Sequence, residues 1–526
     1  MKNLNIFFVV VIGLILVSCA STTSKTKKEL KQFIVQKNFK SALDLVKSDK
    51  FYPKERSRLL KLMEIGSIHF LTGNYFQSLK AFDQAQNLSD KLYTVSISKK
   101  VLSMVANSSA DNYYGERYER SLIRFYQSMT HYKLYQVGEY EAYKKLQKNK
   151  GGKAQVIEVA KKVLSKQMKI NHLSSARASV LEWDSLLENY RSVRGGKSIY
   201  KDDLMAKIFG AFIHEQIGSR SDILIARNLY KKAKEILFKN YNSYPTFNAK
   251  NKLFRKDFDK LPRMSLKAVE IKYVSKTSYY KRLDKFLDNR IKSLSKKSGQ
   301  KSIAIVLMDN FVSEKSARKI DFPLTFLGNA AAQGHDLVSF ALFCLGLSGA
   351  PRPSITFELP EVSIKKTTYD VKLTIANSKG NEIHSEIVPL VDPLSDIVFE
   401  AMDEQITGTY AKIGARLATK HVAALLSAYV AYKAAKKTMP GFAAKAMGAL
   451  SYAGANKLIA ASEKADLRYW MTLPHNLFLT RVNLSPGGYS IYVEKMKNGT
   501  SLGKKLLEKV QITKSSETTL LNYHLN

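Results

Sequence analysis

Between Gly66 and Ala85 the chain places Gly66, His69, Gly73-Asn74-Tyr75, Ser78, Phe82 and Ala85 at offsets of 0, 3, 7 to 9, 12, 16 and 19. That spacing admits few folds. Each arm repeats at helical intervals, and Gly73-Asn74 punctuates the pattern with a turn, which predicts two helices folded back on each other. The small residues let the paired helices approach while Tyr75 and Phe82 fill the space between them. One such pair cannot bury its apolar face alone, so further helices have to stack upon it.

Those offsets fit a tetratricopeptide repeat, with His69 and Ser78 standing where that repeat usually has tyrosine and alanine. A weaker copy has Gly138-Glu139-Tyr140 at its inter-helix turn, after the aromatic run Leu122-Ile123-Arg124-Phe125-Tyr126. A third centres on Ala226, Tyr230 and Ala233, with Gly210 upstream and an enlarged turn around Gly218 to Asp222. Between them Ala154 to Tyr190 reads as more helix, with Val156, Val159, Val163, Leu164 and Trp183 at helical spacing. The expectation is a helical repeat domain over residues 29–261, an α-solenoid with a concave face, and a helical connector over 262–300.

The second half changes period. Ser302 to Met308 is a continuous apolar run ending at Asp309-Asn310, which predicts a buried strand and turn. Ser354 to Leu359 and Tyr369 to Ile375 alternate, and Asn377-Ser378-Lys379-Gly380-Asn381 is a turn before a strand over Glu382 to Val388. Further strands are expected over Asn476 to Leu484, Gly488 to Glu494, and near Val510 or Thr518 to Asn522. Residues 301–394 and 466–526 thus form a small antiparallel β-domain, a sandwich in one arrangement. An Ala/Gly-rich helical hairpin over 395–465, broken at Pro440-Gly441, interrupts it. In that hairpin Ala411, Gly414, Ala415, Ala418, Ala423 and Ala424 are expected to face Ala443, Ala446, Gly448, Ala449 and Ala453. Its longest charge-free run in the first arm, His421 to Tyr432, has 12 residues, too few to span a bilayer. The expected fold class is therefore α+β.

The chain opens with Lys2 and an apolar stretch from Ile6 to Val17, the layout of a secretory signal over residues 1–18. It ends in Leu16-Val17-Ser18-Cys19, which matches a bacterial lipobox, so Cys19 is expected to receive a diacylglyceryl group and become the first mature residue. The polar stretch to Lys28 completes a flexible tether over 19–28. Ala20 after the cysteine favours an outer-membrane lipoprotein facing the periplasm.

Lys and Arg number 84 against 45 Asp and Glu, and removing the signal with its one lysine turns +39 into +38. An exported chain does not meet nucleic acid, so the polyanions within its reach are lipid head groups, lipopolysaccharide or wall polymers; a lysine-rich genome would produce the same composition. Only two cysteines occur, and with Cys19 lipidated, Cys344 in the apolar segment Leu337 to Leu347 has no disulfide partner. No spacing of Cys and His suggests a metal, and no cofactor is implied.

Leu92 to Lys99, then Tyr113-Tyr114-Gly115-Glu116-Arg117-Tyr118-Glu119-Arg120 and Tyr126, resemble a family of bacterial repeat-containing outer-membrane lipoproteins. A later block, Ala465-Asp466-Leu467-Arg468-Tyr469-Trp470, Leu473-Pro474, Arg481, Leu484 and Pro486-Gly487-Gly488-Tyr489, resembles the C-terminal signature of the same family. The segment Pro323 to Pro351 is longer and more apolar than the family pattern. Members of that family accompany small lipoproteins related to penicillin-binding-protein activators, so the resemblance implies envelope assembly and supplies no catalytic residues. By itself, Tyr114-Gly115-Glu116 reads as an inter-helix turn with aromatic filling, or as a polar binding loop.

For chemistry, the candidates are His335-Asp336 and the carboxylates Asp309 and Glu314. Acid-base catalysis needs groups convergent in a pocket, and neighbours in sequence do not supply that. The sequence is therefore read as a non-enzymatic envelope scaffold that binds a protein partner through its repeats. An envelope hydrolase acting on wall glycan or peptide is the alternative, and contact with lipid through Leu337 to Leu347 or the hairpin is a third reading.

Overall fold

The computed structural model describes residues 24–48, 51–52, 55–99, 112–148, 154–192, 200–249, 275–294, 302–323, 340–341, 343–344, 354–363, 365–462, 464–512 and 518–525. Leu16, Val17, Ser18, Cys19, His335 and Asp336 lie outside the described residues. The chain mixes helices and small, largely antiparallel sheets, compatible with an α+β fold, most of the strands lying in the second half.

The first helices are α1 (Ser24–Val35), α2 (Phe39–Lys47), α3 (Arg58–Leu71), α4 (Tyr75–Lys99) and α5 (Arg117–Val137). Helices α3 and α4 form the expected hairpin. Gly73 turns between them at a φ of 78°, and Ser78 Oγ donates to the Gly66 carbonyl at 2.8 Å. A Cβ on Gly66 would stand 2.8 Å from the Phe82 ring, so only glycine allows this approach. Ala85 is fully buried further along α4. Glu116 and Glu119 close a capping box at the start of α5, which ends on Gly138 in the left-handed conformation.

The segment after Gly138 departs from the helical expectation. Strands β1 (Glu139–Tyr140), β2 (Tyr143–Lys148), β3 (Ala154–Val159) and β4 (Lys162–Val163) make two nested antiparallel pairs. Gly138-Glu139-Tyr140 therefore leads into a strand rather than turning to a second helix. Val156, Val159 and Val163 are strand residues, with Val156 and Val163 largely exposed, and their β-branched side chains fit a pleated surface. Helix resumes at α6 (Lys166–Ser192), and α5 packs on α6 across this insertion.

Helices α7 (Leu204–Ile217) and α8 (Arg220–Lys239) form a second hairpin. Asp203 caps α7, Gly218 ends it at a φ of 75°, and Ser219 caps α8. Gly210 approaches Val180 of α6 so closely that an added Cβ would lie 2.8 Å from it, and Ala226, Tyr230 and Ala233 are buried as expected. Helix α9 (Ser278–Ser293) packs on α8.

The strands of the second half are β5 (Ser302–Asp309), β6 (Lys315–Pro323), β7 (Ser354–Val362), β8 (Asp370–Asn377), β9 (Glu382–Ile387), β10 (Leu390–Asp392), β11 (Asn476–Asn483), β12 (Gly487–Lys497), β13 (Thr500–Ile512) and β14 (Thr519–Leu525). They form two four-stranded sheets, β10-β11-β5-β14 and β13-β12-β8-β9, and the pair β6-β7. Strand β5 is buried along its whole length, as its apolar run predicts. One pairing departs from the antiparallel expectation, since β14 runs parallel to β5. Gly487 begins β12 opposite Ile512 of β13.

Helices α10 (Leu394–Ala435) and α11 (Gly441–Ser462) are the hairpin, broken at Pro440 as the sequence requires. Their contact uses larger side chains than expected: Leu425, Ala428 and Tyr432 meet Ala444, Ala449 and Tyr452, with Gly448 against the Ala428 carbonyl. Ala415, Ala423, Ala443 and Ala453, expected in that contact, are exposed. Of the small residues expected to face each other, Ala424, Gly448 and Ala449 do so.

A single buried cluster includes Leu30 of α1, Phe125 of α5, Phe209 of α7, Val306 of β5 and Leu525 of β14. Helical and sheet residues thus share one core.

Candidate functional site: a junction of the two signature blocks

Helices α3 and α5 present carboxylates to the interior because Leu60, Met63, Glu64 and Ser67 share one face of α3, while Glu119 sits in the first turn of α5. Glu64 and Glu119 are both fully buried. Between them runs the non-helical segment from Asp466 to Pro474.

The segment is held by its main chain. Trp470 N donates to Glu119 Oε1 at 2.8 Å, Met471 N to Glu64 Oε1 at 2.7 Å, and Thr472 N to Glu64 Oε2 at 3.2 Å. Thr472 Oγ1 adds a third donor from this segment to Glu64 at 2.6 Å. The Trp470 indole, itself buried, donates to Ser67 Oγ at 3.0 Å and packs against Phe82 and Tyr126, with ring centroids 5.8 and 5.4 Å away. Charged acceptors make such hydrogen bonds about twice as strong as neutral ones.

The flanking signature residues finish the junction. Asp466 takes Arg468 in two bonds of 2.8 and 2.6 Å, and the guanidinium lies 5.4 Å from the Tyr113 ring centre. Gly115, next to Tyr114, holds a φ of 77° just before α5, which is the turn its sequence suggested. Glu116 pairs with the buried Lys315 of β6 at 2.9 Å and accepts from Gln405 of α10 at 3.0 Å. Leu473 is buried, and its carbonyl accepts from Val312 N at 2.8 Å before Pro474 turns the chain into β11.

Burial dominates the electrostatics here. It pushes the Glu64 carboxyl up to about 7 against the pull of its donors from Thr472 and Met471, and pushes Glu119 up to about 6. Burial also raises Glu116, but the Lys315 ammonium and the donors Lys315 and Gln405 outweigh it and hold the group below the usual range. Lys315 in turn is lowered by burial and raised further by Glu116 and Glu119. The junction can therefore take up a proton near neutrality and grip an extended chain by its backbone.

A second buried carboxylate pair escaped the sequence reading. Asp203 accepts from Tyr200 Oη at 2.6 Å and Asp392 from Tyr241 Oη at 2.7 Å, and Tyr241 Oη accepts from Leu204 N at 3.0 Å, tying α7 to β10. Burial first, and Asp203 next, push Asp392 well up, and burial raises Asp203 as well. Glu64 was also missed, although an acid among Leu60, Met63 and Ser67 on one helical face was a readable signal.

Of the catalytic candidates, the described Asp309 and Glu314 take separate partners. Asp309 is buried at the end of β5, paired with Lys495 of β12 at 2.9 Å and accepting from Tyr369 Oη. Glu314 pairs instead with Lys31 of α1 at 2.7 Å. Beside Asp309, His475 Nδ1 is hydrogen-bonded to Ser395 Oγ, and burial drives its imidazole down to about 4. Cys344 is buried, and burial pushes its thiol up to about 11. Among the described residues, no group of three or more His, Cys, Asp or Glu could hold a metal ion.

No protein-family model, curated protein or solved structure matches this chain.

Proposed function

We propose that this chain is a lipid-anchored scaffold of the bacterial envelope, fixed by Cys19 to the outer membrane and facing the periplasm, that binds a protein partner through tetratricopeptide-like repeats. In this reading the helices α1 to α8 form an α-solenoid, and α3/α4 and α7/α8 are two of its repeats. The observation that carries it is close packing at two glycines, Gly66 of α3 on Phe82 of α4 within one pair and Gly210 of α7 on Val180 of the preceding α6, which is how repeats of this type stack. The inward faces of α3 and α5 hold the chain's own segment from Trp470 to Thr472. The partner therefore meets the outer faces, where Leu181 of α6 and Leu224 and Phe238 of α8 are more than half exposed.

The test complements a deletion strain at matched protein level and scores sensitivity to detergent and wall-targeting antibiotics, with crosslinking from intact envelopes in parallel. Asp309→Asn, Glu314→Gln and His335→Ala are each expected to complement fully, whereas the joint change Leu181→Arg, Leu224→Arg, Phe238→Arg is expected to lose both the crosslink and the rescue. A scaffold spreads its binding energy over a surface, whereas catalysis concentrates in one or two groups. Failure of any one carboxylate or histidine variant at normal abundance would instead favour the hydrolase. The anchor has its own test: Cys19→Ser is expected to abolish metabolic labelling by a fatty-acid analogue, and undiminished label refutes it.

A further inference from the structure

Helices α10 and α11 bury their mutual contact in a cluster separate from the shared core, where Ala428 and Tyr432 meet Ala444 and Ala449 over Phe340. Helix α10 has 42 residues, which at 1.5 Å each makes a rod about 63 Å long.

The outward arc of this hairpin is apolar. Phe442, Leu450 and Leu458 of α11 are 77%, 74% and 60% exposed, and Lys457 is the one charged residue among the exposed positions of that helix. On α10, Val430 is 67% exposed. A surface helix of a globular protein normally opposes its buried stripe with a polar face, and α11 does not.

Beyond Glu404, charge on the hairpin has one sign. From Gln405 to Ser462 there are eight Lys and Arg and no Asp or Glu. Lys436 and Lys437 sit exposed at the turn, beside Met439 and Phe442. Apolar side chains at a helix turn with lysines about them match a bilayer that carries phosphate at its surface and hydrocarbon beneath. A protein partner would have to bring a matching acidic surface for the same face.

The geometry points to the hairpin as a membrane-docking element that lies on a bilayer of anionic phospholipid. Phe442, Leu450 and Leu458 enter the acyl boundary, and Lys436, Lys437 and Lys457 meet head-group phosphates. It rests on the surface, since among the described residues no helix is long and apolar enough to cross a membrane. This inference does not depend on the scaffold reading.

The test uses the full chain carrying Cys19→Ser, so that a thioether-linked lipid cannot contribute, sedimented with vesicles of phosphatidylglycerol or of phosphatidylcholine. The parent is expected to bind phosphatidylglycerol vesicles at least tenfold more tightly than phosphatidylcholine. Lys436→Glu with Lys437→Glu is expected to remove that preference, and Phe442→Ser with Leu450→Ser to weaken binding to phosphatidylglycerol at least tenfold. All these side chains are exposed, so matched thermal unfolding serves as the control for folding. Binding by either double variant equal to the parent overturns the proposal, as does a parent that binds neither vesicle. Loss of an envelope protein crosslink in the hairpin variants with unchanged vesicle binding also overturns it, and assigns the face to a protein.

Discussion

Glu64 concentrates three hydrogen bonds from the segment Met471-Thr472 onto one buried carboxylate. Replacing it by glutamine turns one acceptor into a donor facing a backbone N–H, so Glu64→Gln is expected to cost about 1–3 kcal/mol, read as a lower denaturant midpoint. Its titration has a definite sign. Because burial raises the folded-state value to about 7, Glu64 contributes stability that is fully present below its unfolded value near 4.5 and is lost as pH rises through about 7. The stability difference between parent and Glu64→Gln should therefore shrink as pH rises across that window, and a difference independent of pH would remove the assignment. Ala85 tests packing in the same way. Ala85→Lys places a charged chain where there is no exposed surface, at about 3 kcal/mol or more, whereas Lys91→Ala on the exposed side of α4 changes little. Equal melting temperatures for the two would count against a repeat contact at this point.

At the level of elements, the α3/α4 hairpin depends on Gly66 and Phe82 together. Gly66→Ala puts a methyl 2.8 Å from the ring and is expected to cost about 1–3 kcal/mol, part of which Phe82→Leu restores in the double variant. Strict additivity in that cycle would show that the two side chains are not in contact. This hairpin was legible because its glycine, aromatic and alanine positions carry a helical period, as were the capped α7 and α8. The turn at Pro440 and strand β5 could also be read from local chemistry alone. The hairpin of β2 and β3 was not, since valines at positions 156, 159 and 163 satisfy a helical spacing, and only the pairing of Ala154 to Val159 with Tyr143 to Lys148, and of Val163 with Glu139, places them in strands. In the hairpin α10/α11 the expected Ala424, Gly448 and Ala449 lie in the contact while Ala415, Ala423, Ala443 and Ala453 are exposed, because an alanine permits either a close contact or an exposed surface. The junction was half visible: both blocks stood out in the sequence, but nothing local said that residues so far apart would touch.

Over the whole molecule, one core joins helices and sheets, so the two halves are expected to unfold together. Fluorescence of the buried Trp183 and Trp470 and far-ultraviolet circular dichroism should give coincident thermal transitions, and two separated steps would contradict this. A fragment ending at Leu294 leaves Glu64 and Glu119 without the donors of Trp470 to Thr472, and is expected to lack a cooperative transition until the remainder is supplied. The same holds on the other side of α5, where Tyr132 and Lys133 donate to the carbonyls of Thr518 and Leu520 at 2.7 and 2.9 Å. Lys133 and Leu520 are 387 positions apart. A ribosome adding about 5–20 residues per second needs roughly 20–80 s to travel between them. For that interval the nascent helices wait with their acceptor unmade, so a pause late in translation would prolong exposure to proteases and chaperones far more than the same pause placed early.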